Sequence, residues 1–326
     1  MSPENSTLKS RRPTVRGRLR QGFVTLKEKL AERNSLQRWI ARKALPLTQS
    51  LGFTVLGDHF YEPVPHLKDI RKHYSDEPRE LPGFVVNPSW AEEMERVVEP
   101  FLAEYLASPA YEQYGKKNWF YAGWDAAYYY CLIRSRKPRL ITEVGRGFST
   151  WIAGAALDRN VADGYAGELV SIDPYFRDDP CFRGENSAAH TRIITTELQQ
   201  IPPGEREALL RADIFFVDSS HIVKWGSDVL QLFESWIPYV AVNTLVHIHD
   251  LFTPYDYPLE WMVKQKRFWN EQYFFESFIA FNSAFRIECP MFYLFRTGSL
   301  KQLAERLNAP QLAAAKGGAV WLKRIQ

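Results

Sequence analysis

Short β-branched and apolar runs alternate with helical stretches through the second half of the chain. This alternation is typical of a parallel sheet covered by helices. The first five strands are predicted at 139–144, 168–173, 191–196, 212–218 and 244–249. Helices are predicted between them at about 149–158, 203–211, 225–236 and 259–281. Two later runs, 285–290 and 318–325, are predicted to complete the sheet, with 291–295 as a competitor for one place.

The first 123 residues follow different patterns. Apolar residues recur at three- and four-residue spacing between 21 and 45, which predicts one or two amphipathic helices that end at Pro46. Residues 51–123 are dense in proline and aromatic side chains. We therefore predict a basic helical extension over 1–50, a cap or substrate-side segment over 51–123, and a catalytic domain over 124–326.

Composition excludes several classes of protein. A chain of 326 residues with 45% hydrophobic content can bury a large core, which excludes disorder throughout. Its three cysteines, at 131, 181 and 289, form no close pair, so neither a disulfide framework nor a zinc site is expected. No apolar run approaches the roughly 20 residues of a membrane span. We expect a cytoplasmic protein.

Positive charge is concentrated at the N-terminus. Residues 1–50 contain twelve Lys and Arg against three Glu, whereas the whole chain carries a net charge of only +3. A basic amphipathic helix can dock on an anionic membrane or an acidic protein partner, or it can simply pack on its own domain. The chain has no stretch in which aromatic and basic residues alternate, as nucleic-acid-binding surfaces often do. Nucleic acid is therefore not expected as a partner.

A glycine-containing turn follows the first predicted strand. Gly145 and Gly147 let the backbone approach a ligand, with Ser149 at the start of the next helix. Asp173 ends the second strand, where its carboxylate can accept both ribose hydroxyls of an adenosyl cofactor or of NAD. Glu143 distinguishes between the two cofactors. A carboxylate at this position would repel the pyrophosphate of NAD but suits an adenosyl cofactor that carries an α-ammonium group and no phosphate.

These motifs carry a family resemblance. The glycine loop 143–150, SIDPY at 171–175, ADIFFVDSSH at 212–221 and VHIHDLFTPYDYP at 246–258 resemble bacterial class I S-adenosylmethionine-dependent methyltransferases of glycan and natural-product loci. The resemblance covers roughly residues 120–326. It implies a Rossmann-like, mostly parallel seven-stranded sheet with helices on both faces. In this chain Asn243 replaces the glycine that is usual before the fifth strand.

The resemblance also implies roles for residues after the fourth and fifth strands. The spacing of Asp218 and His221 is similar to that of sugar O-methyltransferases acting on macrolides, in which the Asp is a metal ligand and the His a general base. The matching metal positions after the fifth strand are His249 and Asp250. Asp218 is also assigned to the cofactor site. An imidazole ligand would shift metal preference from Mg²⁺ toward Mn²⁺, Fe²⁺ or Zn²⁺.

Each of these residues also has a structural interpretation. His247 and His249 share one face of a strand, where an imidazole pair is often a hydrogen-bonded structural feature. Asp218 can cap the following turn, and His221 can pair with Asp228 or with a backbone group.

The sequence therefore predicts an S-adenosylmethionine-dependent O-methyltransferase that acts on a hydroxyl of a glycan or a natural-product small molecule. The expected cofactor residues are Glu143, Gly145, Gly147, Ser149, Asp173 and Asp218, with His221 as the base. The alternatives are an NAD-dependent oxidoreductase, which would lack a third loop glycine because Thr150 stands there, and a non-catalytic cofactor-binding scaffold.

Overall fold

The computed structural model describes residues 39–56, 62–116, 118, 120–175 and 190–326. The chain divides into two compact units, Met1–His73 and Tyr74–Gln326. Predictions for residues 1–38 and for Cys181 lie outside the described residues. The unit that holds the sheet begins at Tyr74, so it includes much of the segment 51–123 as well as the predicted catalytic domain.

The first unit contains a helix over residues 39–50 (α1) and a second helix over Leu67–His73 (α2). Helix α1 continues past Pro46, where the sequence pattern predicted its end. Proline removes one backbone N–H donor, but hydrogen bonds from the hydroxyls of Thr48 and Ser50 to backbone carbonyls support the last turn. The side chains of Trp39 and Leu47 on this helix are exposed.

The second unit is built around one seven-stranded sheet. The strand order is β3-β2-β1-β4-β5-β7-β6, and β7 alone is antiparallel to its neighbours. The strands are β1 Leu140–Val144, β2 Glu168–Ile172, β3 Thr191–Ile194, β4 Ile214–Val217, β5 Leu245–His249, β6 Phe285–Pro290 and β7 Ala319–Arg324. The predicted mostly parallel seven-stranded sheet is thereby confirmed.

Helices of this unit precede, connect and follow the strands. They are α3 Trp90–Val98, α4 Leu102–Leu106, α5 Gly123–Arg136, α6 Phe148–Ala162, α7 Pro203–Leu209, α8 Asp228–Gln231, α9 Leu259–Val263, α10 Glu271–Ile279, α11 Met291–Arg296 and α12 Ser299–Arg306. Short π-helical turns cover Tyr111–Gly115 and Leu232–Trp236. Among the described residues, no helix is long and apolar enough to cross a membrane.

The central strand β4 shows that the sheet is covered on both faces. All four of its residues are buried. Phe215 packs against Trp236 at a ring distance of 6.0 Å, whereas Phe216 stacks on Tyr129 of α5 at 4.7 Å. Adjacent residues of a strand point to opposite faces, so α5 and the turn at 232–236 lie on opposite sides. The core therefore fills both layers around the sheet.

Three local features differ from the patterns in the sequence or refine them. The helix predicted over 259–281 is two helices, because Lys266 adopts a left-handed φ of 59° and Asn270 bonds the backbone of Val223. The run 291–295 is part of α11 and forms no strand. Asn243 adopts a left-handed φ of 76°, so it takes the backbone conformation that the usual glycine would allow.

Candidate active site

The carboxyl ends of β1, β2 and β4 border a cavity of about 640 Å³. Open α/β sheets bind their ligands at this edge, and the volume suits a cofactor-sized molecule. The described lining residues are 120–121, 144–148, 172–175, 197–199, 218–220, 224 and 226–228.

The turn after β1 depends on a glycine. Gly145 has a φ of 90°, and a Cβ atom added there would lie 1.9 Å from the carbonyl oxygen of Asp218. Real side chains do not approach a backbone oxygen so closely, so this position requires glycine for both conformation and space. Gly147 differs, because its φ of −168° is ordinary extended backbone and a Cβ would meet nothing closer than 4.0 Å.

Three successive backbone N–H groups of this turn are bonded within the protein. Gly145 donates to the carbonyl of Ile172 at 2.9 Å, Arg146 donates to the carboxylate of Asp173 at 3.0 Å, and Gly147 donates to the hydroxyl of Thr150 at 3.1 Å. Phosphate-binding loops instead leave such donors free for the ligand. The first part of this turn therefore offers no free donors to a pyrophosphate.

Asp173 lies in the cavity wall directly after β2. One carboxylate oxygen accepts the N–H of Arg146, and the other accepts the N–H of Tyr175 at 2.7 Å. Each oxygen has a second lone pair, so the carboxylate is fixed in position and can still accept two further hydrogen bonds from a ligand.

Glu143 and Ser149 do not line the cavity, in contrast to their predicted place in the cofactor site. Glu143 is fully buried, and its two oxygens accept the hydroxyls of Ser149 and Thr150, each at 2.7 Å. Burial raises the pKa of Glu143 to about 7, against the effect of these hydrogen bonds. These side chains hold the start of α6 from beneath, and the loop backbone faces the cavity.

Asp218 follows β4 and does line the cavity, with 32% of its side chain exposed. Burial favours its neutral form, but the charge of His249 and the bonds to both His221 and His249 outweigh burial and lower the pKa of Asp218. The carboxylate is therefore ionised at neutral pH and presents a negative charge to the cavity.

His221 is buried beside this wall in a left-handed conformation, with a φ of 60°. Its Nδ1 lies 2.8 Å from the carboxylate of Glu271, and its Nε2 lies 3.3 Å from Asp218 and 3.7 Å from Asp250. The predicted alternative pairing with Asp228 does not occur, because Asp228 bonds Ser220 instead.

The loop of His221 is tied to the start of α10. The His221 carbonyl accepts the N–H groups of Asn270 and Glu271 at 3.1 and 3.2 Å, and so satisfies donors that a helix start leaves open. The ring of Trp269 packs on the His221 imidazole with a centroid distance of 4.2 Å. The backbone and the side chain of His221 are thus both held by residues 269–271, at the start of α10.

Burial lowers the pKa of His221, but the hydrogen bonds and charges of Asp218 and Glu271 outweigh it and raise the pKa well above the ordinary value. At neutral pH the imidazole therefore carries a proton in the ligand-free protein. It can accept another group's proton only after it has released its own.

His249 and Asp250 complete the cluster. His249 Nδ1 lies 3.5 Å from Asp218 and 3.8 Å from Asp250. Burial lowers the pKa of His249, but the charges of Asp250 and Asp218 outweigh it and raise the pKa to about 9. Across the part of the chain that the structure describes, no three His, Cys, Asp or Glu side chains are grouped as a metal site.

His247 is held by packing. Its ring stacks on Phe216 at 3.9 Å with an angle of 7° between the planes, and neither ring nitrogen has a hydrogen-bond partner among the described residues. This differs from the hydrogen-bonded imidazole pair that the sequence suggested. Burial lowers the pKa of His247 well below its usual value, so the ring is neutral and acts as part of the core.

The motif-bearing part of the chain matches a known family. The model of a methyltransferase domain family matches residues 142–251. The chain is therefore similar to a methyltransferase domain over about a third of its length. The match begins in β1 and ends just after Asp250, so it includes the glycine turn, Asp173 and the cluster around Asp218. The predicted resemblance to methyltransferases is confirmed for these residues, whereas the glycan and natural-product specificity stays a prediction.

Individual relatives are distant. An uncharacterized protein of Archaeoglobus fulgidus is 28% identical over 127 residues, which are 36% of this chain. The match spans 57% of that protein's length.

Three solved structures are also similar to this chain. An apo structure of CmcI has a TM-score of 0.38 at 13% identity, covering 83% of this chain and all of its own. A CmcI structure described as Mg-SAM has a TM-score of 0.35 at 15% identity, covering 80% and 97%. CalS11, a TDP-rhamnose 3'-O-methyltransferase, has a TM-score of 0.30 at 15% identity, covering 58% and 90%. At such scores they carry no argument about this chain's site.

The sequence patterns do not mark several residues that line the cavity or contact His221. Phe120 and Tyr121 line the cavity just before α5, and Leu198 and Gln199 line it after β3. Glu271 begins α10, within the range 259–281 that the sequence predicts as a single helix. No short motif marks these positions. The polar, mostly basic run 264–267 is the feature of the sequence that indicates the break between α9 and α10.

Proposed function

We propose that this chain is an S-adenosylmethionine-dependent methyltransferase that methylates a hydroxyl group of a glycan or a natural-product small molecule. The observation that carries the cofactor assignment is the internal bonding of the N–H groups at 145, 146 and 147. A dinucleotide needs such donors for its pyrophosphate, whereas S-adenosylmethionine has no phosphate. The methyltransferase domain match supports the same choice.

The cavity has matching groups for the rest of this cofactor. Asp173 is fixed by two backbone donors and can accept the two ribose hydroxyls through its remaining lone pairs. Ile172 and Leu198 supply apolar lining to the same cavity. Asp218 places an ionised carboxylate where a positively charged cofactor would be attracted. When bound, S-adenosylmethionine supplies an electrophilic methyl group.

His221 is the proposed base for the acceptor hydroxyl. Its Nε2 points toward the carboxylates of Asp218 and Asp250, and Glu271 fixes the ring through Nδ1. A hydroxyl has a pKa far above neutral, so removal of its proton by a positioned base contributes about 10²–10⁴-fold to the rate. A cationic cofactor near Asp218 would weaken the attraction that keeps His221 protonated, which favours the free base in the complex.

A divalent metal held by Asp218, His249 and Asp250 stays a prediction. In the described part of the chain, the side chains of these three residues lie near one another but are not grouped as a metal site. No step of the proposed reaction therefore depends on a metal. Loss of activity with a chelator, restored by a divalent ion, would establish the metal.

The cofactor assignment is tested by calorimetry with S-adenosylhomocysteine and with NADH. We expect the parent to bind S-adenosylhomocysteine, and we expect Asp173→Ala to weaken it about tenfold or more, because charge-assisted bonds to the ribose are lost. Asp158→Ala is the matched control, since this exposed carboxylate lies outside the cavity. Unchanged affinity in Asp173→Ala would contradict the ribose assignment, and NADH binding of similar strength would favour the oxidoreductase.

Transfer itself is tested with labelled S-adenosylmethionine over a panel of glycans, macrolides and phenols. A methylated hydroxyl in any product supports the proposal and removes the non-catalytic scaffold. Methylation found only on nitrogen or carboxylate groups would contradict the hydroxyl acceptor and the need for His221.

A further inference from the structure

A half-buried arginine, Arg267, lies beside the proposed acceptor site. The Arg267 guanidinium packs over the rings of Trp261 and Trp269, with centroid distances of 4.7 and 5.0 Å. Within the described part of the chain, its side chain forms neither an ion pair nor a hydrogen bond. Cation–π packing holds the group in place while leaving its N–H donors free.

The two indoles connect Arg267 to the catalytic cluster. Trp269 contacts the Arg267 guanidinium and also packs on the His221 imidazole at 4.2 Å. Trp261 and Trp269 meet edge to face at 5.3 Å. The positive charge of Arg267 also acts on Asp250, where it opposes the rise in pKa caused by burial. Arg267 is therefore about one ring away from the proposed base.

The neighbouring basic residues are already engaged and differ from Arg267. Lys264 pairs with Glu260 at 3.1 Å and is 75% exposed. Lys266 donates to the carbonyl of Val263. Among the basic residues of 264–267, only Arg267 is partly buried, fixed in orientation and without a hydrogen-bond partner for its guanidinium N–H groups in the described part of the chain. Proteins use this arrangement to bind planar oxyanions.

We propose that Arg267 binds an oxyanion group of the acceptor, so that the substrate is a hydroxylated ring carrying a carboxylate or a phosphate about one ring's width from the methylated hydroxyl. This inference rests on the proposed methyltransferase function and specifies its substrate class. Trp261 and Trp269, both partly exposed, provide the faces against which such a ring can pack. The carboxylates of Asp218 and Asp250 repel the anionic end and thus orient the molecule with its hydroxyl toward His221.

The test is calorimetry of oxyanion probes on the full chain saturated with S-adenosylhomocysteine, at constant ionic strength. Inorganic pyrophosphate represents phosphates and malonate represents carboxylates. We expect at least one probe to bind, with an affinity that falls about tenfold or more in Arg267→Met. Lys264→Met is the matched control, because it removes the same charge from the same loop, and it should change the affinity less than about twofold.

Arg267→Lys separates charge from geometry, and weaker binding than in the parent is expected because the planar fork is lost. The proposal is overturned if neither probe binds, if Arg267→Met binds like the parent, or if Lys264→Met loses as much affinity as Arg267→Met. Affinity for S-adenosylhomocysteine is measured on every variant. If the parent does not bind S-adenosylhomocysteine, the proposed cofactor is refuted. If Arg267→Met binds S-adenosylhomocysteine like the parent, the cavity of that variant is intact.

Discussion

The two halves of the site are built in different ways. The cofactor half consists mainly of backbone groups and the carboxylate of Asp173, contributed by the turns that follow β1 and β2, and Asp218 faces both halves. The acceptor half consists of ionisable side chains from three separate segments, around Asp218, His249 and Glu271. The cofactor half therefore depends mainly on local backbone geometry, whereas the acceptor half depends on charged side chains that tertiary folding brings together.

This difference predicts how each half responds to substitution. In the cofactor half, a change of backbone conformation should affect binding and stability together. In the acceptor half, the removal of one side chain should affect turnover while the cofactor still binds. The following variants test that separation.

The largest effect is expected for His221→Ala. Turnover should fall by about 10²–10⁴ at neutral pH, because the base is lost. Affinity for S-adenosylhomocysteine should stay nearly unchanged, since His221 does not line the cavity. Single-turnover rates and calorimetry on the same preparation measure both. A fully active variant would mean that the acceptor is already ionised or that another group takes its proton.

A smaller effect, of a different kind, is expected for Gly145→Ala. The added Cβ would meet the Asp218 carbonyl at 1.9 Å in a left-handed backbone, so the turn must shift at a cost above about 1 kcal/mol. Thermal unfolding and cofactor affinity should worsen together. Gly147→Ala is the control, because its extended backbone and open surroundings accept a methyl group. Equal damage in both would refute the distinction between the two glycines.

Glu271→Gln should change the pH dependence of turnover more than its maximum. The parent rate should rise with pH above neutrality, because the raised pKa of His221 keeps the imidazole protonated until then. Removing the Glu271 charge lowers that pKa and should move the rise toward lower pH. A profile identical to that of the parent would show that Glu271 does not act through His221.

The smallest effect on chemistry is expected from removal of residues 1–20. Turnover should change less than about twofold, because the cavity and the cluster lie in the unit that begins at Tyr74. Binding to anionic vesicles should weaken and should depend on salt, since the segment 1–50 holds twelve basic residues. A folded but inactive variant would contradict the separation of this segment from catalysis.

The fold was largely predictable because strand patterns are local. The seven strands follow β-branched and apolar runs, and the turn at Gly145 and the carboxylate of Asp173 occur at strand ends that the sequence marks clearly. Asp218 and His221 could be placed at the sheet edge for the same reason.

The remainder of the site could not be predicted because it depends on contacts between distant segments. Glu271 meets His221 across fifty residues, and nothing in the sequence around Glu271 indicates that partner. Glu143 was assigned to the cofactor from its place before the glycine turn, but its direction is set by the hydroxyls of Ser149 and Thr150 beneath the turn. Periodicity also suggested one helix where the His221 loop imposes a break before α10.

The attachment of the His221 carbonyl to the start of α10 limits how this protein can be re-engineered. The α9–α10 connection carries Arg267 and Trp269, so it is the natural segment to exchange in order to obtain a new acceptor specificity. Asn270 at its end and Glu271 at the start of α10 also hold the proposed base and its loop in place. A graft that ends before Trp269, whose ring packs on His221, would vary recognition alone, whereas a graft that extends through Glu271 would alter recognition and reactivity in a single step.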